Sequence, residues 1–318
     1  MTVAMVFPGQ GSQAVGMLAA LAENFAPVRE TFAEASTVLG YDLWQRVAHG
    51  PEEALNATAC TQPAMLAAGV ATWRAWRAAG GAEPALVAGH SLGEFSALVC
   101  AGTLPFGAAI GLVRVRGELM QAAVPAGSGA MAAILGLEAE VLLEVCAQST
   151  QGEVVEAVNF NGPGQIVIAG HASAVARAVA AAKERGAKRA LLLPVSVPSH
   201  SSLMRPAAER FRPYLEAVAF QSPRYTYISA VDAREYRDPN QIRELLGRQL
   251  ASPVRWTETV LEIIRRGAKQ LLECGPGKVL TGLNRRIGPR GEISCAALED
   301  PESIRAALGA AAGGGDAK

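Results

Sequence analysis

Much of what usually narrows a protein's chemistry is missing from this chain. Its 318 residues include 29 acidic and 29 basic side chains, so no net field draws it as a whole to nucleic acid or to an anionic membrane. Its five cysteines (Cys60, Cys100, Cys146, Cys274 and Cys295) are odd in number, and no two stand at CxxC spacing. That argues against a disulfide framework and against a thiolate zinc site. Histidine is equally scarce: the four, His49, His90, His171 and His200, include no pair at metal-ligand spacing with another His or a Cys, and the expectation is chemistry without a metal. The opening MTVAMVFPGQ has no charged leader and reaches Pro8-Gly9 after only a strand's length of apolar residues. Neither a signal peptide nor a membrane anchor is expected, which places the protein in the cytoplasm.

What is abundant points to fold class. Half the residues are apolar and 33 are glycine, while aromatics make up 5%, a balance that suits helices packed closely on a sheet, hence α/β. Val3 to Phe7 reads as a buried strand ended by the Pro8–Gly11 turn and followed by a helical stretch with Met17, Leu18 and Leu21. A helix over Pro63 to Arg77 and a strand over Ala85 to Ala88 come next, and that order predicts a parallel sheet. The middle third departs from this alternation. Strand (Ala130 to Leu135), helix (Glu138 to Gln148), two strands (Val154 to Asn159 and Gln165 to Ala169), helix (Ser173 to Arg185) and strand (Arg189 to Pro194) form a ferredoxin-like βαββαβ unit. We expect it as a small domain at 126–195, inserted into a large domain made of 1–125 and 196–318. The large domain resumes with a strand over Tyr225 to Ser229, helices around Gln241 to Leu250 and Trp256 to Arg266, and a buried strand over Gln270 to Cys274. The closing AALGAAAGGGDAK is poor in bulky apolar residues, and 309–318 is expected as a flexible tail.

The strongest chemical motif is Gly89-His90-Ser91-Leu92-Gly93, a GxSxG between a strand and the helical run Glu94 to Ala101. This is the setting of a nucleophile elbow, in which the serine hydroxyl is exposed at a sharp turn and the N–H of the next residue faces a developing oxyanion. A chance Gly/Ser turn is the bland alternative. A serine nucleophile needs a base, and His200 is the best placed, since Val195 to His200 leaves a buried strand for a polar turn. His49 and His171 read as surface-turn residues, and His90 is too near Ser91 in sequence to face it. No acidic residue between Ser91 and His200 clearly ends a strand, so the group orienting the imidazole stays open: a carbonyl acceptor would serve as well as a carboxylate. Arg114 and Arg116, two positions apart on the apolar helical stretch Ala108 to Val124, cannot share a face. Either both snorkel to solvent, or one turns inward and needs an anionic partner.

Two glycine motifs lead elsewhere. Gly9 to Ala14 fits the dinucleotide fingerprint, but no acidic residue closes a second strand some twenty residues on, and its tight turn is free to serve an oxyanion. Gly275-Pro276-Gly277-Lys278 lacks the first glycine and the Ser or Thr of a phosphate loop.

Taken together, FPGQGSQ (Phe7 to Gln13), TQPA (Thr61 to Ala64), GHSLGE (Gly89 to Glu94), RVRG (Arg114 to Gly117), PSH (Pro198 to His200) and GPGKVLTGL (Gly275 to Leu283) make the chain resemble, nearly end to end, the bacterial malonyl-CoA:acyl carrier protein transacylases of type II fatty acid synthesis. The resemblance implies an α/β-hydrolase-like large domain with an inserted ferredoxin-like domain. It implies Ser91 as nucleophile, His200 as base, the main-chain carbonyl of Gln249 as the group orienting that base, and the N–H groups of Gln10 and Leu92 as the oxyanion hole. Arg116 is then the residue that binds the malonyl carboxylate. Implied too are ping-pong transfer of malonyl from the substrate malonyl-CoA to the phosphopantetheine thiol of acyl carrier protein, no cofactor, and a monomer binding neither nucleic acid nor membrane. AVNFNGPGQ (Ala157 to Gln165) is longer than the usual family form, which implies a locally different small-domain loop. An acyltransferase of a polyketide pathway shares the same motifs, a hydrolase shares the elbow and base, and a non-enzymatic carrier-binding scaffold needs neither. Arg285, Arg286 and Arg290 form a basic set suited to an acidic carrier, or simply a solvated face.

Overall fold

Val3–Phe7 is buried along its whole length because both of its faces are covered. Val3, Met5 and Phe7 enter one apolar cluster, while Ala4 and Val6 enter another on the opposite side. Such a strand belongs in the middle of a parallel sheet between helical layers. A computed structural model describes residues 2–195, 197–289 and 291–313. Among them the strands are β1 (Val3–Phe7), β2 (Leu86–Gly89), β3 (Gly129–Leu135), β4 (Val155–Gly162), β5 (Gln165–His171), β6 (Arg189–Leu192), β7 (Thr226–Ile228), β8 (Glu235–Tyr236), β9 (Gln270–Glu273) and β10 (Ser294–Ala297).

They form two sheets. One has the order β10-β9-β1-β2-β7-β8, parallel throughout except for the short edge strand β8. The other has the order β4-β5-β3-β6 and is antiparallel. Helices Ala139–Ser149 and Ala172–Glu184 share a buried cluster with one face of this second sheet, completing a βαββαβ sequence of elements over Gly129–Leu192. The hairpin of β4 and β5 carries the AVNFNGPGQ stretch, accommodated by register shifts between Ala157 and Asn159 and between Phe160 and Gly162. Bulges of this kind bend a strand and re-aim its side chains, and here they bring Asn161 to the larger sheet's elbow. Val158 and Phe160 exchange main-chain hydrogen bonds with Val254, and Glu156 accepts from the N–H and hydroxyl of Ser202, so the smaller sheet is bonded directly to loops of the larger one.

Several elements lie outside the sequence expectations. Residues 25–56 fold as helices Ala26–Leu39, Leu43–His49 and Glu52–Asn56, and further helices span Arg205–Glu216 and Val279–Ile287. The expected tail at 309–318 is described only over its first residues. Helix Pro301–Gly313 runs through the start of that stretch, anchored upstream by Ile304 and Ala307 in the main core. Residues 314–318 lie outside the described residues. His171 is no simple turn residue either: it precedes helix Ala172–Glu184, and its Nδ1 accepts the Val154 N–H at 2.9 Å.

Candidate active site

The GxSxG motif passes from β2 into helix Gly93–Cys100 with Ser91 in the left-handed region at φ 53°. That conformation is uncommon for a residue with a Cβ, and here it lifts the side chain out of the turn. The close packing requires glycine. A Cβ on Gly93 would stand 2.0 Å from the carbonyl oxygen of Phe7, and one on Gly9 would stand 2.6 Å from that of His90. The Pro8–Gly11 turn is thereby pressed against the elbow. Neither the Gln10 nor the Leu92 N–H has an acceptor among the described residues, and both turns belong to the same mouth of the sheet, past the C-terminal ends of β1 and β2.

Ser91 Oγ lies 2.7 Å from His200 Nε2. His200 is 3% exposed, and its Nδ1 sits 3.0 Å from the carbonyl oxygen of Gln249 and 3.1 Å from that of Ser252. Two carbonyls at Nδ1 demand a hydrogen there, which leaves the Nε2 lone pair toward the serine hydroxyl. Burial, followed by the neighbouring Arg116 charge, pushes the His200 pKa down to about 3. The imidazole is therefore a neutral acceptor held in one tautomer without any carboxylate. The sequence motifs located the Gln249 carbonyl through resemblance; that of Ser252 had no sequence signal, since only the fold of the loop after helix Pro239–Gln249 aims it.

Of the two arginines, Arg116 is buried and Arg114 is exposed beside Glu118. Sequence reasoning expected an inward arginine to meet an anion directly. Its acceptors are instead neutral amide oxygens: Nη1 donates to Gln62 Oε1 at 3.0 Å and Nη2 to Gln249 Oε1 at 3.0 Å, with Ser91 Oγ at 3.4 Å. Arg116 Nε is buried without an acceptor among the described residues. Burial lowers the guanidinium pKa to about 10, partly offset by the charge of Glu94, so it stays cationic at neutral pH. The result is a fixed, desolvated cation beside the serine hydroxyl, with its Nε–H left without an acceptor among the described residues.

The remaining candidates fall elsewhere. His90 turns away from Ser91, and its Nε2 meets Asn161 Oδ1 at 2.8 Å. At the helix after the Gly275–Lys278 turn, the Leu280 and Thr281 N–H groups that a phosphate would need are given to the Glu273 carboxylate at 3.0 and 2.7 Å. Arg285 and Arg286 are exposed and donate to the Cys295 carbonyl and to Gln165 Oε1; Arg290 lies outside the described residues. Among the described residues all five cysteines are free, no cluster of His, Cys, Asp and Glu could hold a metal ion, and no helix is long and apolar enough to cross a membrane.

The chain has relatives among known proteins. Residues 4–287 match the acyl transferase domain family. The chain is 54% identical over 305 residues to the malonyl CoA-acyl carrier protein transacylase of Salmonella typhimurium, covering 96% of this chain and 98% of that one. A solved acyl carrier protein S-malonyltransferase from Vibrio cholerae superposes with a TM-score of 0.93 at 57% identity, covering 96% of this chain and 100% of the other. A malonyl-transacylase solved in complex with a type II polyketide synthase acyl-carrier protein superposes with a TM-score of 0.95 at 55% identity, covering 98% and 100%. With these likenesses running through both sheets, the chain belongs to the acyl transferase domain family, among the malonyl CoA-acyl carrier protein transacylases.

Proposed function

We propose that the protein transfers malonyl from malonyl-CoA to the phosphopantetheine thiol of an acyl carrier protein through an ester on Ser91. The observation that carries this reading is the 2.7 Å contact of Ser91 Oγ with a neutral, carbonyl-oriented His200, set beside the buried Arg116. In the first half-reaction the Ser91 hydroxyl gives its proton to His200 Nε2 as Oγ attacks the thioester carbonyl. The N–H groups of Gln10 and Leu92 support the oxyanion, and the proton leaves with the thiol of coenzyme A. In the second, the carrier thiol passes its proton to His200, attacks the Ser91 ester and departs as the malonyl thioester, which regenerates the serine. Each proton taken up by the imidazole is returned within its own half-reaction, so no metal or redox group is required for balance.

Arg116 gives selectivity. A malonyl carboxylate satisfies its unused donors, whereas an acetyl group leaves them buried and unpaired. Supply of extender units for fatty acid synthesis is the reading that the motif resemblance favours. The likeness to a transacylase bound to a polyketide synthase carrier keeps a second carrier class in view. Initial rates with both substrates varied test the mechanism: parallel double-reciprocal lines are expected, and intersecting lines would require both substrates to be bound together.

A further inference from the structure

Glu94 is fully buried at the start of helix Gly93–Cys100, three residues after Ser91, and its carboxylate is hydrogen-bonded to neither Ser91 Oγ nor His200 among the described residues. Its Oε1 accepts from the Tyr227 hydroxyl at 2.6 Å, the Ser229 hydroxyl at 2.8 Å and the Ala230 N–H at 2.8 Å; its Oε2 accepts from Gln249 Nε2. Ser229 Oγ in turn accepts the Val231 N–H at 3.1 Å, which directs its own hydrogen toward Glu94. Burial raises the carboxyl pKa, and the four donors offset part of that rise. Every neighbour offers a hydrogen, the surroundings that an ionised, acceptor-only carboxylate requires.

That carboxylate decides which way the Gln249 amide faces. Nε2 of Gln249 donates to Glu94 and to the Ser91 main-chain oxygen at 2.9 Å, and its Oε1 accepts from Arg116 Nη2 at 3.0 Å. Turned over, the amide would set its oxygen against a carboxylate and a carbonyl, and its NH2 group against a guanidinium. All three contacts would then be repulsive, so only one orientation survives. We infer that Glu94 is a positioning residue for acyl selection: through the Gln249 amide it aims and charge-balances Arg116, the residue that reads the substrate carboxylate. The chain of contacts runs Glu94, Gln249, Arg116, with Ser91 tied to the same amide by its main chain. This inference rests on the malonyl-transfer reading above.

The test compares kcat/KM for malonyl-CoA and acetyl-CoA in Glu94→Gln and Glu94→Asp. In Glu94→Gln the new carboxamide must keep its oxygen on the three donors at the Oε1 position, so its NH2 faces that of Gln249 and the orientation is lost. The malonyl-to-acetyl ratio is expected to fall by about tenfold to a hundredfold, the loss of one hydrogen bond to a charged group. Glu94→Asp, which keeps the charge, is expected to retain most of the ratio. A purely structural role would slow both substrates alike, and an unchanged ratio in folded Glu94→Gln would overturn the inference. Should Glu94→Gln fail to fold, Gln249→Met supplies the test, since it deletes the amide but keeps the main-chain carbonyl; an unchanged ratio there overturns the inference equally. Wild-type enzyme that forms no malonyl ester at all would defeat the underlying reading instead.

Discussion

Acid should destabilise this fold in a way that a single histidine makes measurable. His200 has an ordinary pKa near 6.5 when unfolded and about 3 in the fold, where burial and the Arg116 charge oppose its protonation. Between those values the unfolded chain binds one proton that the native chain refuses. Stability therefore rises with pH across that window, by about 1.4 kcal/mol per unit where the difference is complete. From pH 7 down to pH 5 the native state should lose about 2 kcal/mol through this one group. Urea unfolding at both pH values, for wild type and for His200→Ala, isolates it. The variant will be weaker overall for want of packing, but its pH 5 to pH 7 difference should be smaller than that of wild type by about 2 kcal/mol. His90, whose pKa burial also lowers, is present in both proteins and cancels. Equal pH dependence in the two would mean that His200 titrates normally in the fold and that the neutral-base geometry is wrong. By the same reasoning the rate of Ser91 acylation should show no acid limb near pH 6.5.

Further consequences follow from the site's surroundings. Arg116→Ala should lower the malonyl-to-acetyl ratio of kcat/KM by roughly a hundredfold, since charge-assisted bonds to the carboxylate are lost; equal rates of loss for the two substrates would contradict its role. In Gly93→Ala the new Cβ meets the Phe7 main chain at 2.0 Å, which no rotamer change can relieve. Chemical unfolding should show about 3 kcal/mol of destabilisation or more, and a variant within about 0.5 kcal/mol of wild type would show that the elbow can shift at little cost. For the exposed pair Arg285 and Arg286, the double alanine variant should raise KM for carrier protein and flatten its salt dependence while leaving acylation by malonyl-CoA unchanged. Wild-type salt dependence in that variant would remove the pair from carrier encounter.

How much of this was legible beforehand depended on how local each feature is. β1, β2 and the elements of the smaller sheet were readable because runs of apolar residues are cut by Gly and Pro at strand length. Helices Leu43–His49 and Glu52–Asn56 are too short to establish a period, and the two-residue β8 exists only through its pairing with β7. Helix Pro301–Gly313 gave no sequence signal because its alanine-rich run has few bulky residues beyond Ile304 and Leu308 to mark a period. Within the site, Ser91 and His200 announced themselves through motif and strand-end position. Which of Arg114 and Arg116 turns inward could not be read from spacing on a helix apolar on most sides, and Arg116 was singled out only through the family resemblance. Glu94 looked like an ordinary acidic residue in a helix's first turn, because its partners Tyr227, Ser229, Ala230 and Gln249 are more than 130 positions away.

The central claim is a malonyl ester on Ser91. Intact-mass analysis after mixing the protein with malonyl-CoA alone, alongside Ser91→Ala, tests it most directly. The account predicts one malonyl adduct on wild type, none on the variant, and discharge by holo-acyl carrier protein far faster than by water. An adduct that persists in Ser91→Ala, or one that water discharges as quickly as the carrier does, would contradict it.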